Sequence, residues 1–178
     1  DRALLASAGS SGHRRHREII TMDLAGDIAA SLGDDQLPRL YEKRVRTLRT
    51  RSLSIEVPAR ENAVSIEYTL LGIELKVGKR RFASPDLATA RYMRVFARIG
   101  CGEFAIPYDI TKISPIADEL ETSWQRTLLL IDHATANKTP RARASARSKV
   151  IRTIRDEIAA IGPGDVMPAF DRETRQRG

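Results

Sequence analysis

Apolar residues along this chain recur first at helical spacing and then in strict alternation. Ile19 to Leu32 carries a short helical pattern that stops at Gly33. After Asp34 and Asp35, Leu37, Leu40, Tyr41, Val45 and Leu48 predict a second helix over about 36–50, with one face that packs. From Ser52 the period drops to two. Leu53, Ile55 and Val57 point one way and Ser54 and Glu56 the other, and Pro58 to Asn62 makes a turn. Val64, Ile66, Tyr68 and Leu70 then alternate with Ser65, Glu67 and Thr69, and Ile73, Leu75 and Val77 with Glu74 and Lys76. The pattern predicts a three-strand antiparallel meander with one apolar face.

Gly78 and Lys79 break the third strand, and Arg80 to Ala83 reads as a short return. Ser84, Pro85 and Asp86 then predict a helix start, with a hydroxyl N-cap, proline at the first helical position and an acid in the first turn. That helix runs to about Ile99 and stops at Gly100. A short strand follows at Phe104 to Pro107. Ser114 and Pro115 repeat the cap before a helix over about 115–134, Asn137 to Pro140 breaks it, and a last helix covers about 141–161 before Gly162-Pro163-Gly164. The expected fold is α+β: a small, mainly antiparallel sheet (helix, three-strand meander, helix, strand) with a C-terminal helical pair. We expect one domain over 22–161, a flexible N-terminal arm over 1–21 and a flexible tail over 162–178.

Charge sharpens this picture. The chain of 178 residues has a net charge of +7, and nineteen of its thirty lysines and arginines fall in the windows 39–51, 76–98 and 141–155, where Glu42 and Asp86 are the only acids. The stretch from Glu103 to Asp132 reverses the balance. A polarised molecule with a polyanion as its default partner is expected, nucleic acid first, with DNA and RNA both open. Aromatics at 5% argue against a module that stacks single-stranded bases on a row of rings. With Cys101 as the single cysteine there is no intramolecular disulfide and no cysteine metal cage, which fits a cytoplasmic setting. The longest solid apolar run, Leu128 to Ile131, is far too short to cross a bilayer, so no membrane partner is expected.

The candidate chemistry lies at Glu74, Leu75 and Lys76 on the second strand of the 64–77 pair. With a turn centred near Leu71 and Gly72, Glu67 lies across from Lys76 and Thr69 across from Glu74, so Glu67, Glu74 and Lys76 cluster on one face. Two carboxylates can hold a hard cation such as Mg²⁺ against a phosphate, and a neighbouring lysine can orient water or neutralise developing charge. The order helix, strand, strand, strand, helix, strand over about 36–108 is similar to the core of the restriction-endonuclease-like nucleases, the PD-(D/E)xK superfamily. The resemblance implies that Glu74 and Lys76 are the acid and lysine of the third strand, and that Glu42 corresponds to the glutamate of the first helix. It departs from the family in its Pro-Asp: Pro58 is followed by Ala59, and Pro85-Asp86 comes after the Glu-x-Lys. Glu67 stands in for that acid by geometry alone.

Blander readings stand beside this one. Glu67 and Lys76 can form a cross-strand ion pair on a wet sheet face, worth under ~1 kcal/mol. Lys79, Arg80 and Arg81 with Arg91, Arg94 and Arg98 make one candidate phosphate-binding surface, and Arg141, Arg143 and Arg147 a second. The second set lies near a helix N-terminus, where the macrodipole disfavours positive charge, so either phosphate binding or an Arg/Ser linker before a shorter helix accounts for it. A non-catalytic basic adaptor for RNA, DNA or protein is the alternative function. A homodimer, or a subunit docking through Asp118 to Glu121, is a third. His13 and His16 read as solvated residues of the arm, and Trp124 as core.

Overall fold

The structure is a computed structural model that describes residues 24–164. The expected helical residues 19–23, the His13/His16 pair and the tail beyond 164 lie outside the described residues. The fold is α+β. In chain order the elements are α1 (Leu24–Leu32), α2 (Leu37–Leu40, running on as a π turn over Tyr41–Val45), β1 (Thr50–Ser54), β2 (Val64–Thr69), β3 (Gly72–Val77), β4 (Arg80–Ser84), α3 (Leu87–Ile99), β5 (Glu103–Pro107), α4 (Ile110–Ala134) and α5 (Pro140–Ile161).

Antiparallel pairing is as expected, but its members differ. The meander is β2-β3-β4, and β1 forms a separate two-strand ladder with β5. Arg80 to Ser84, expected as a short return, is therefore the third strand of the meander. Its single large apolar residue, Phe82, hides the alternation, while Gly78, at φ 61°, makes the tight turn that returns it alongside β3. The strand after Ser52 leaves the meander because Pro58 to Asn62 carries the chain across the sheet to the C-terminal end of α3. There the Asn62 N–H donates to the Arg98 carbonyl at 2.9 Å.

The apolar face of the meander rests on α3, which buries Tyr92, Met93, Val95, Phe96 and Ile99. Leu75 and Val77 are buried beneath it. Phe96 stacks on Phe104 of β5, with ring centroids 4.2 Å apart, and Tyr41 meets Phe96 edge-on at 5.7 Å. Strand β5 has a neighbour on one side only, and two tyrosines serve the other. The Ala105 N–H donates to the Tyr41 hydroxyl at 2.9 Å, and the Tyr92 hydroxyl donates to the Ala105 carbonyl at 2.6 Å. Tyr41 in turn donates to the Gly162 carbonyl at 2.6 Å, tying the end of α5 to the core. Side-chain hydroxyls thus satisfy an edge that would otherwise be buried unpaired.

Caps refine the helix ends. Asp86, not Ser84, is the N-cap of α3, accepting from the Thr89 N–H at 2.7 Å, while Ser84 donates to the Asp86 carbonyl. Helix α4 begins five residues earlier than expected, because Asp109 accepts from the Thr111 N–H at 3.0 Å and caps it there. Pro115 is absorbed close to that end, where its missing N–H costs one helical bond. Gly100 ends α3 at φ 82°, with its N–H donating to the Ala97 carbonyl and the Cys101 N–H donating to that of Phe96.

Candidate functional site

The Glu-x-Lys triplet sits in the middle strand of the meander, with Glu74 and Lys76 on the sheet face turned away from α3 and Leu75 buried on the other. The turn between β2 and β3 is Leu70-Leu71, one residue earlier than expected, so Glu67 pairs with Glu74, Ser65 with Lys76 and Thr69 with Gly72. Two features set this register. Gly72 takes φ 115°, which favours glycine, and the Thr69 hydroxyl accepts from the Leu71 N–H at 3.2 Å while donating to the Gly72 carbonyl at 3.1 Å. A shift of two residues in the pairing keeps every side chain on its expected face. Glu67, Glu74 and Lys76 do share one side of the sheet, but it is the two acids that stand directly opposed.

Opposed carboxylates repel, and the next strand supplies the compensation. Arg81, paired with Lys76 in the β3–β4 ladder, donates through Nη1 to Glu67 Oε2 and lies 3.2 Å from Glu74 Oε2. Those hydrogen bonds, the one to Glu67 first, raise the Arg81 pKa above its ordinary value. Lys76 Nζ stands 3.9 Å from Glu67 Oε1, a looser contact. Glu74 is the most enclosed member, with 16% of its side chain exposed against 46% for Arg81. Arg81, expected as a phosphate contact, instead bridges the two acids, a place the sequence pattern hides because its segment reads as a short return and not as a strand. No group of three or more His, Cys, Asp or Glu side chains suited to a metal occurs among the described residues. The donor set here is two carboxylates, with a guanidinium already between them.

The expected basic stripe on α3 faces α4. Arg91 pairs with Asp118, and Arg98 donates to Glu121 at 2.6 Å. Arg94 lies between them with its Nε buried and unpartnered, and burial first, then Arg98, lowers its pKa. The acidic stretch Asp118 to Glu121 therefore meets these arginines within the molecule. Of the remaining expected contacts, Arg80 pairs with Glu56 at 2.7 Å and Arg147 forms a two-pronged pair with Glu61. Lys79 is exposed in the β3–β4 turn.

Helix α5 presents a different surface. It is one continuous helix from Pro140, capped by Thr139 accepting from the Ala142 N–H at 3.2 Å, so no Arg/Ser linker precedes it. Its inner side buries Ala146, Val150, Ile151, Ile154 and Ile158. Its outer side carries Arg141, Ser145, Ser148, Lys149 and Arg152, which recur at i, i+4, i+7, i+8 and i+11 and are all exposed. Arg141, Arg143, Lys149 and Arg152 have no acidic partner among the described residues. Lys149 and Arg152 are legible in the sequence as the continuation of the Arg141 face of an unbroken helix.

A depression between α2 and α4, lined by Asp35, Arg44, Asp118, Glu119 and Arg126, is self-neutralised, crossed by the Arg44–Glu119 pair at 3.0 Å and by Arg126–Asp35 at 3.7 Å. Among the described residues no helix is long and apolar enough to cross a membrane. In comparisons with protein-family models, curated proteins and solved structures, none matches this chain.

Proposed function

We propose that this chain is a nucleic-acid-binding protein that meets the phosphate backbone along the outward face of α5. The observation that carries the reading is the set Arg141, Lys149 and Arg152, exposed on that face without acidic partners, with Arg143 exposed and unpaired on another side of the same helix end. Elsewhere Arg80, Arg81, Arg91, Arg98 and Arg147 are held by acids of the same molecule, so contact there would first have to break an ion pair. Unpaired cations spaced along a helix bind a phosphate backbone by releasing its counterions, a force that reads no sequence. A cytoplasmic setting belongs to the same proposal. The test is binding of labelled duplex and single-stranded DNA and RNA in EDTA, which the triple change Arg141→Ser, Lys149→Ser, Arg152→Ser should weaken.

A second reading, metal-dependent phosphodiester hydrolysis in the manner of the PD-(D/E)xK nucleases, is favoured by the Glu67–Glu74 rung with Lys76 beside it. One or two carboxylates plus substrate oxygens are the usual protein share of a Mg²⁺ site, so this donor set fits Mg²⁺ or Mn²⁺ once Arg81 has moved aside. A cation bound there would polarise the phosphate and lower the pKa of a bound water. Glu67 and Glu74 would be its ligands and Lys76 would neutralise charge developing on the phosphate. Arg81, released from the acids, would be free to contact the neighbouring phosphate. Cleavage in Mg²⁺ or Mn²⁺ that is lost in EDTA, in Glu74→Ala and in Lys76→Ala would establish this reading; equal cutting by both variants would remove it.

A further inference from the structure

We infer that the end of the molecule formed by the β2–β3 turn and the first residues of α3 and α4 is a docking surface for a second copy of this chain. Six large apolar side chains are exposed among the described residues, and five of them belong to this end: Tyr68 (70%), Leu70 (107%), Leu71 (92%), Leu87 (41%) and Ile110 (71%). The topology brings them together. Ile73, next to the turn, pairs with Ser84, and α3 starts three residues later at Leu87. Helices α3 and α4 run parallel, because Arg91 meets Ser114 and Asp118 while Arg98 meets Glu121 further along, an order that sets the start of α3 at Leu87 near the first turn of α4.

Folding gives no reason for these residues. Tight hairpin turns favour Asn, Asp and Gly, and a leucine as exposed as Leu70 buries nothing within its own chain. Taking on the order of 150–200 Å² for a fully exposed side chain of this size, the five present roughly 570–760 Å², at or above the upper limit for a monomer's largest patch. One partner of a standard protein interface contributes about 800 Å², so this patch with its immediate rim is the size of one half of a dimer contact.

Charge leaves this end open to the same occupant. A molecule of net charge +7 repels its copies, and two of them can meet only where the basic faces stay apart. The charged groups at this end are mostly engaged: Asp86 and Asp109 cap their helices, Arg91 is paired with Asp118, Lys43 with Asp34 and Arg44 with Glu119, Arg49 lies over the Tyr108 ring, and Lys112 is exposed. The basic α5 face lies towards the opposite end, since Arg147 holds Glu61, just before the start of β2. A two-fold axis through the apolar end would set the projecting Leu70-Leu71 turn of one copy against Leu87 and Ile110 of the other, and the reverse contact would form by symmetry.

Sedimentation equilibrium of the full chain from about 1 to 100 μM, where interfaces of this size span association and dissociation, tests the inference. Dimerisation of the wild type is expected, weakened at least about tenfold in Leu70→Ser/Leu71→Ser and again, on a different element, in Ile110→Ser. Circular dichroism melts of both variants check that the fold is kept. A wild type that stays monomeric over the whole range, one that instead binds neutral lipid vesicles as a monomer, or folded variants that dimerise as tightly as the wild type, would each overturn it.

Discussion

Glu67 and Glu74 stand directly opposite each other on the polar face of the meander, and a single guanidinium, that of Arg81, touches both. Removing it in Arg81→Ala leaves the two facing carboxylates with only the looser contact of Lys76 to Glu67. The variant is predicted to melt lower than the wild type and to regain more stability than the wild type when millimolar Mn²⁺ is added, because a divalent cation then has no competitor. Thermal melts with and without Mn²⁺ check this. A variant that ignores the metal would count against the carboxylate pair as a cation site.

The α3–α4 ion pairs predict a division of labour among the arginines. Arg98→Met should cost about 1–2 kcal/mol of folding stability, because it leaves the half-buried Glu121 carboxylate without its cation. It should leave the salt dependence of nucleic-acid binding unchanged. Urea titration and binding isotherms on the same preparation separate the two effects.

Gly100 is predicted to be the glycine least open to substitution. A Cβ there would lie 2.3 Å from the Arg60 carbonyl oxygen, on a backbone already at φ 82°. Gly100→Ala should therefore cost on the order of 3 kcal/mol or more, whereas Gly78→Ala, at φ 61° with open space around it, should cost about 1–2 kcal/mol. Denaturant midpoints decide this, and equal losses would contradict the close packing of the 58–60 loop on the end of α3.

Cys101 links stability to alkaline pH. Burial, as the main cause, raises its pKa from 9.0 to about 11, so the folded state favours the neutral thiol. Its contribution is complete below the unfolded value and is lost as pH rises from about 9 to 11. The buried Tyr41 and Tyr92 hydroxyls, also raised by burial, add losses of the same sign. Unfolding at pH 8 and pH 10.5 should show a smaller alkaline loss in Cys101→Ala than in the wild type, by on the order of 1–2 kcal/mol.

How far the sequence reveals this molecule depends on the range of the interaction concerned. Strands β2 and β3 follow from strict alternation, and α3 from its apolar spacing and Gly100, because those signals are local. Strand β4 escapes because Phe82 alone gives it an apolar face, and the separate β1–β5 ladder escapes because nothing in Leu53 or Ile55 names a partner fifty residues away. In the candidate site, shared-face membership of Glu67, Glu74 and Lys76 is a matter of parity and survives. Their register is set instead by the φ of Gly72 and the Thr69 hydroxyl, and so shifts. The pairing of Arg91 with Asp118 and of Arg98 with Glu121 is tertiary, which is why a stripe of arginines on α3 reads as a ligand surface until α4 is laid beside it.

The most direct test of the account is the salt dependence of nucleic-acid binding in EDTA, wild type beside Arg141→Ser/Lys149→Ser/Arg152→Ser. Log affinity should fall steeply and linearly with log salt concentration. The triple variant should bind more weakly, with a slope shallower by about 2–3, close to one unit for each phosphate contact removed. An unchanged slope and affinity in the variant, or no binding by the wild type at low salt, would contradict a nucleic-acid interface on α5.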